Sequence, residues 1–416
     1  MQASGQNVGD SKMIQNQYDV VIAGTGVGGL YSALNLDSDK KILMITKARV
    51  EECDSFLAQG GICMLKNEAD YDSYFEDTMR AGHYENKKKS VDTMIRNSQK
   101  TIQRLISYGV DFERNEDGSL KFTKEGAHST PRILFHQDIT GREITSKLLA
   151  AVKRLTNVQI LEMTEMTDII EEFGNCTGIV AKNLISGEEF TIKAKDVIWA
   201  TGGIGGTYRH STNFPHLTGD ALTIAKKHNI PVIHEDYVQI HPTTLFVKSE
   251  QGKKERSFLI SESVRGEGGI LLDKNLNRFV NELLPRDKVT EAINEQMKKD
   301  GTEHVWLSMK AIPADVIKTH FEHIYERCLE EGLDCTKDLI PVVPAQHYFM
   351  GGVEVDDDSM TSLNHLYAVG ETSCNGVHGK NRLASNSLLE SLVFAEIAAN
   401  KINRESQALS IKTKIA

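Results

Sequence analysis

The chain is poor in proline, with 8 in 416 residues, and in tryptophan, with 2. Its six cysteines, at 53, 63, 176, 328, 335 and 374, form no CxxC pair and accompany no His cluster at metal spacing. That pattern argues against a disulfide framework, structural zinc or an iron–sulfur centre, and no metal site is expected. No stretch reaches the ~20 consecutive apolar residues of a membrane span. The opening run MQASGQNVGDSKMIQNQ lacks the charged start and apolar core of a secretory signal, so a cytoplasmic location is expected. Basic residues are also in deficit. With 48 Lys and Arg against 58 Asp and Glu, the net charge of −10 leaves no general basic face for a nucleic-acid backbone.

Glycine is abundant, with 32 residues, and much of it follows apolar runs. Residues 18–24 (YDVVIAG) read as a strand buried on both faces, residues 41–46 (KILMIT) as a second, and the segment between as a helix, giving a βαβ unit. Helical spacing recurs over 91–108, with Ser90 and Gly109 as candidate caps, and over 142–155. Residues 168–170, 177–183 and 189–192 suggest a small meander, after which 196–200 (DVIWA) returns as a core strand. Residues from about 234 to 348 lose the βαβ rhythm. A strand over 364–370 and a helix over 386–403 then complete the first domain.

Gly24-Thr25-Gly26-Val27-Gly28-Gly29 fits GxGxxG between a strand and a helix, where backbone N–H groups can meet a pyrophosphate. The acid expected at the end of the second strand is replaced by Lys47, which either contacts the adenosine half of a ligand or is a solvated strand end. Asp54-Ser55-Phe56-Leu57-Ala58-Gln59-Gly60-Gly61 is a second small-residue loop, short of helix signals, and the run through Gly202 is a third. Strand ends of one parallel sheet converge on one edge, so three such loops would line one long cofactor such as FAD. Asp220 and Glu371 follow glycine-adjacent turns and could hold ribose or ribityl hydroxyls, or be turn residues only. Ser387 and Leu388 open the last helix, whose positive end could face a reduced flavin, or merely be capped there. His241 precedes Pro242, and His347 shortly precedes a glycine pair. Glu262 and Arg265 would meet at i, i+3 on a helix, in a site or as a surface pair. Arg286, after Pro285 at a helix start, and Arg382 could together grip a dicarboxylate through their planar forks.

The segments YDVVIAGTGVGG, LAQGG, EGAHS, IHPT, ESVRGEGG, PRD, AQHYFMGG and GKNRLASNSLLESL, in this order, resemble the L-aspartate oxidase family, within the succinate dehydrogenase/fumarate reductase flavoproteins. The resemblance runs from about residue 18 to 403. It implies an α/β fold: a Rossmann-like FAD-binding domain (1–233 and 349–416) with an inserted α+β capping domain (234–348) that carries substrate contacts. The family's C-terminal helical domain is expected to be absent. It further implies oxidation of L-aspartate to iminoaspartate with oxygen or fumarate as electron acceptor, the first step of de novo NAD synthesis, with quinolinate synthase as a possible partner. Under the resemblance Arg286 is the proton donor or acceptor, with Glu262 and Arg265 its relay and His241 and His347 beside it. Ser261, Arg382, Gln239 and Ser385 join them at the substrate, and Glu125 meets its ammonium. Asp54 stands where membrane relatives carry the histidine linked to FAD, so non-covalent FAD is expected. The alternative is a soluble fumarate reductase or succinate-oxidising flavoprotein, against which Glu125 and His128 count.

Overall fold

The computed structural model describes residues 17–247 and 256–415. The strand Gln17–Ala23 lies between two parallel neighbours, Ile42–Ile45 and Glu189–Trp199, with Val158–Leu161 beyond Ile42–Ile45. This central position explains why its apolar run does not alternate: both faces are covered. Val20 and Ile22 enter a core shared with the helices Val27–Asn35, Lys88–Ser107, Thr140–Val152 and Ser387–Ile415. Val21 and Ala23 point the other way, into a core with Trp199, Ala368 and the helix Asp220–Lys227.

The expected meander differs in its last member. Glu189–Trp199 is one continuous strand of 11 residues, not a meander strand followed by a core strand. Its first half pairs antiparallel with Asn175–Asn183, its last residues pair parallel with Leu366–Ala368, and its other edge follows Gln17–Ala23. Lys193 and Lys195 interrupt its apolar pattern in sequence because that half is solvated on one face. The helix expected from 91 starts at Lys88, so Ser90 is no cap: its hydroxyl donates to the Asn375 carbonyl at 2.7 Å. Asp54–Leu57, expected as irregular, forms one helical turn. The last helix runs well past 403, to Ile415.

A second sheet, antiparallel, is ordered Val238–Leu245, Leu339–Phe349, Val305–Ser308, Ile270–Leu272. With the helices Arg286–Asp300, Ala314–His320 and Glu322–Glu330 it encloses a separate core that includes Val289, Ile293, Leu307 and Phe321. This α+β layer stands over the carboxyl ends of the parallel strands, the crevice where α/β sheets bind ligands.

Candidate active site

A single cleft with about 1560 Å³ of open space runs from the glycine loop to the second sheet. Its lining runs from Gly24 at the glycine loop to Arg286 and Arg382 at the second sheet, so it has one end for a dinucleotide and another for a further small ligand. At one end lie Gly24, Thr25, Gly26 and Gly28. Gly24 has φ +118°, and a Cβ there would stand 1.9 Å from the Ala200 carbonyl oxygen. Only glycine lets the two strand ends close on each other at this point. Gly26 precedes the helix Val27–Asn35 without any side-chain cap, so that helix end is open to an anion; Ser55 Oγ takes only the Val27 N–H, at 3.1 Å.

Along the cleft follow Asp54, Ser55, Leu57, Ala58, Gln59, Gly60, Gly61, Gly202, Asp220, Glu371, Ser387 and Leu388, as well as Lys47. Lys47 is no solvated strand end: its ammonium is 2.6 Å from Asp220 and also bonds Thr218 at 3.0 Å. Glu371 accepts the Phe349 N–H at 2.8 Å, and burial together with Asp54 pushes its carboxyl up to about 8. Asp54, in turn, accepts the Phe214 N–H at 3.0 Å and is pushed up to about 7 by burial. Buried Gln59 Oε1 has no partner among the described residues, although it lines the cleft. Unpartnered acceptors, an uncapped helix end and a backbone cradle are what a phosphate- and hydroxyl-bearing cofactor would satisfy.

Five expected residues lie behind the cleft wall. Val27 and Gly29 sit within the helix start, where Gly29 packs against the Gly24 carbonyl; Phe56 packs under the Arg142 guanidinium at 5.6 Å. Gln239 and Arg265 are buried supports of the far end. Conversely, Thr212, Asn213 and Arg256 line the cleft without a motif to announce them, and Tyr348 lines it from within the AQHYFMGG segment although it was not singled out. Tyr348 is adjacent to His347, and an aromatic beside a ligand histidine is the one signal that could have found it.

At the far end the short helix Glu262–Gly266 and the start of Arg286–Asp300 bring an arginine–glutamate–arginine row together. Arg286 Nε donates to Glu262 Oε2 at 2.5 Å, and Glu262 Oε1 is 3.7 Å from Arg265 Nη2. The i, i+3 pair is therefore buried, not a surface pair. Burial raises the Glu262 carboxyl, but Arg286 and Arg265 outweigh it and hold it below its ordinary value. Gln239 Oε1 accepts a second Arg286 N–H at 2.8 Å, while its amide nitrogen is tied to Asn381 and to the Arg382 carbonyl.

Arg382 lies over the Tyr348 ring, 4.4 Å from its centroid, and donates to Ser387 at 2.7 Å, while its buried Nε has no partner among the described residues. Burial and Arg286 lower it to about 10, so it stays a cation at neutral pH. His241 and His347 meet edge to face, 5.2 Å apart, both held well below 6.5 by burial and by Arg286. His241 Nδ1 faces both the N–H and the carbonyl oxygen of Thr243, each at 3.2 Å, while its buried Nε2 has no partner among the described residues. Ser261 lines the same end. Glu125 closes it, accepting Ser385 Oγ at 2.6 Å and Ser263 Oγ at 2.8 Å; burial and then Glu262 raise its carboxyl above its ordinary value. With Arg382 and Glu125 added to the row, it holds three guanidiniums against two carboxylates, one positive charge in excess.

Comparison with known proteins agrees with this construction. The FAD binding domain family matches residues 19–388. An L-aspartate oxidase of Clostridium perfringens is 50% identical over 92% of this chain and 86% of its own length. That of Clostridium acetobutylicum is 49% identical over 93% and 88%, and that of Neisseria meningitidis serogroup B 39% over 94% and 78%. Among solved structures, an E. coli quinol fumarate reductase FrdA mutant superposes with a TM-score of 0.87 at 29% identity, covering 96% of this chain and 74% of that one. The chain belongs to the FAD binding domain family and, within it, to the L-aspartate oxidases.

Proposed function

We propose that the cleft binds FAD non-covalently and oxidises L-aspartate to iminoaspartate, with oxygen or fumarate as final electron acceptor, the entry step of de novo NAD synthesis. The glycine loop and uncapped helix end hold the pyrophosphate, and Asp54, where membrane relatives carry a linking histidine, makes no covalent attachment. FAD supplies the acceptor for the hydride that leaves aspartate Cα. The remaining work falls to side chains of this chain.

The observation that carries the substrate reading is Glu125, a buried carboxylate placed beside two buried arginines. Arg286 and Arg382, with His241 and His347, take the two substrate carboxylates through charge-assisted hydrogen bonds, and Ser261 and Ser385 line the same end with their hydroxyls given to Ser263 and Glu125. Glu125 takes the ammonium. One excess positive charge in the row complements a dicarboxylate carrying one ammonium, and orientation by such fixed clamps can supply a large part of a rate enhancement. Arg286, a cation held on Nε by Glu262, is placed to give a proton at the reacting end, or to take one only as it passes its own to Glu262, and Glu262 and Arg265 lead from it into the protein. Gln239 keeps its fork aimed.

The test is anaerobic addition of L-aspartate, then of succinate, to the purified flavoprotein while following the oxidised flavin band. Bleaching by aspartate is expected. Bleaching by succinate alone would favour the fumarate reductase reading, which rests on the structural neighbours, and bleaching by neither would remove the substrate assignment. The division into 1–233, 234–348 and 349–416, a cytoplasmic location, and delivery of iminoaspartate to quinolinate synthase belong to the same reading; co-purification tests the last.

A further inference from the structure

Glu125 does not stand alone in its pocket. Ser261 Oγ donates to Ser263 Oγ at 3.2 Å, and Ser263 Oγ donates to Glu125 Oε1 at 2.8 Å. Ser261 also caps the helix Glu262–Gly266 by taking the Ser263 N–H, at 3.2 Å, so the backbone fixes where the Ser263 hydroxyl points. On the other side Ser385, whose backbone is left-handed at φ 60°, donates to Glu125 Oε2. A Cβ on Gly60 would meet Glu125 Oε1 at 2.4 Å, so the carboxyl also presses against the cofactor loop. Each oxygen of Glu125 thus receives one hydroxyl donor, and Ser261, which lines the cleft where Ser263 does not, joins the carboxylate end of the site to its amine end.

We propose that Ser263 is a positioning residue for amine selectivity: its hydroxyl, oriented by Ser261, keeps Glu125 ionised and aimed at the substrate ammonium. A hydroxyl donated to a carboxylate favours the charged form, and here it opposes burial and the neighbouring Glu262. The groups that face Glu125 are Glu262, Ser263 and Arg265 on the short helix, Arg286 at the start of the long one, Arg382 and Ser385 from the final segment, and Cys63 beside the cofactor loop. Ser263 and Cys63 are the members of that set that can be changed without removing a charge or a residue of the cleft wall, and of the two it is Ser263 that donates to Glu125. The inference rests on the reading of the substrate as aspartate.

The experiment compares the parent with Ser263→Ala and Ser263→Thr, measuring KM and kcat for L-aspartate across pH and the dissociation constant of succinate from the change it causes in the flavin spectrum. Hydrogen bonds to charged groups are strong enough for loss of one to matter by about tenfold or more. Ser263→Ala is expected to raise the aspartate KM about tenfold at neutral pH with a smaller effect on kcat. The pH below which KM climbs should move upward, because Glu125 then holds its proton to higher pH. Succinate, which has no ammonium, should bind within about twofold of the parent, and Ser263→Thr, which keeps the hydroxyl, should restore the aspartate values. Equal weakening of aspartate and succinate, no change in either, or a threonine variant that behaves as alanine would overturn the role. Failure of the aspartate reading would instead show in the parent, as a flavin that aspartate does not bleach.

Discussion

Arg132 Nη1 lies 3.0 Å from His128 Nδ1, and because a guanidinium can only donate, the histidine nitrogen is the acceptor. The proton of the imidazole is thereby assigned to Nε2, which donates to the Ala384 carbonyl at 3.1 Å. Burial first, and Arg132 second, lower His128 to about 4, so the ring is neutral at pH 7. A motif histidine next to Glu125 thus serves as a strut that fixes the backbone before Ser385. Arg132 is itself pinned by Asp77 at 2.6 Å and Asp70 at 3.0 Å.

Replacing Arg132 with methionine should destabilise the protein by about 3–5 kcal/mol, the range for removing one partner of a buried pair. Asp77 is fully buried and would keep only the half-exposed Arg80, on its other oxygen, as a cation. Burial raises the Asp77 carboxyl, but the Ser129 donors and Arg132 outweigh it and hold it below 3.8. Its contribution is present above the unfolded value near 3.8 and is lost as pH falls through the lower folded one. Urea unfolding at pH 7 and pH 3 should show the variant's deficit shrinking in acid; an undiminished deficit would count against this pairing.

His320, stacked 4.4 Å from Phe321 and tilted 4.5 Å from Phe135, is held at about 4 by burial. Unfolding restores a value near 6.5, so the unfolded chain binds more protons between those limits and this histidine's contribution fades as pH falls from about 6.5 to about 4. Glu371 and Asp54, raised to about 8 and about 7, act in the opposite sense, so the difference between variant and parent is the quantity to follow. In His320→Phe the acid slope of stability should flatten by up to about 1.4 kcal/mol per pH unit. Parallel slopes would show that His320 titrates normally.

Arg286→Gln should lower the rate of flavin bleaching by aspartate about 10²–10⁴-fold, the usual worth of a positioned acid or base. Flavin content should stay at the parental level, since Arg286 lies at the end of the cleft away from the glycine loop. Arg286→Lys keeps the charge but loses the fork shared by Glu262 and Gln239, and should recover only a small part of the loss. Full activity in Arg286→Lys would refute a role for the fork.

Gly24→Ala combines a backbone at φ +118° with a Cβ 1.9 Å from the Ala200 carbonyl oxygen. It should cost upwards of about 2 kcal/mol and abolish stoichiometric flavin, measured as the ratio of flavin to protein absorbance after purification. A normally loaded Gly24→Ala would show that the two strand ends can part at no cost.

Much of the molecule is legible in the sequence because its signals are local. A strand covered on both faces is apolar at successive positions, so Val20 to Ala23 announces a central strand, and a glycine at its end announces a close approach. The three glycine loops follow from the same logic, because parallel strands deliver their carboxyl ends to one edge. Pairings between distant segments were not legible. Ser263 and Glu125 are 138 residues apart, and Lys47 and Asp220 are 173 apart; their meeting depends on how the second sheet is seated over the first, which no periodicity encodes. Even Glu262 and Arg265, adjacent on one turn of helix, could be read as a solvated pair until the fold buried them. The continuous strand Glu189–Trp199 was missed for a related reason: solvent wets one face of its first half, and the resulting polar residues look like an interruption. Sequence determined the scaffold, the cofactor loops and the residue types that chemistry needs. Tertiary structure alone decided which of those residues share a low-dielectric pocket, and so which charges, donors and protons act on one another.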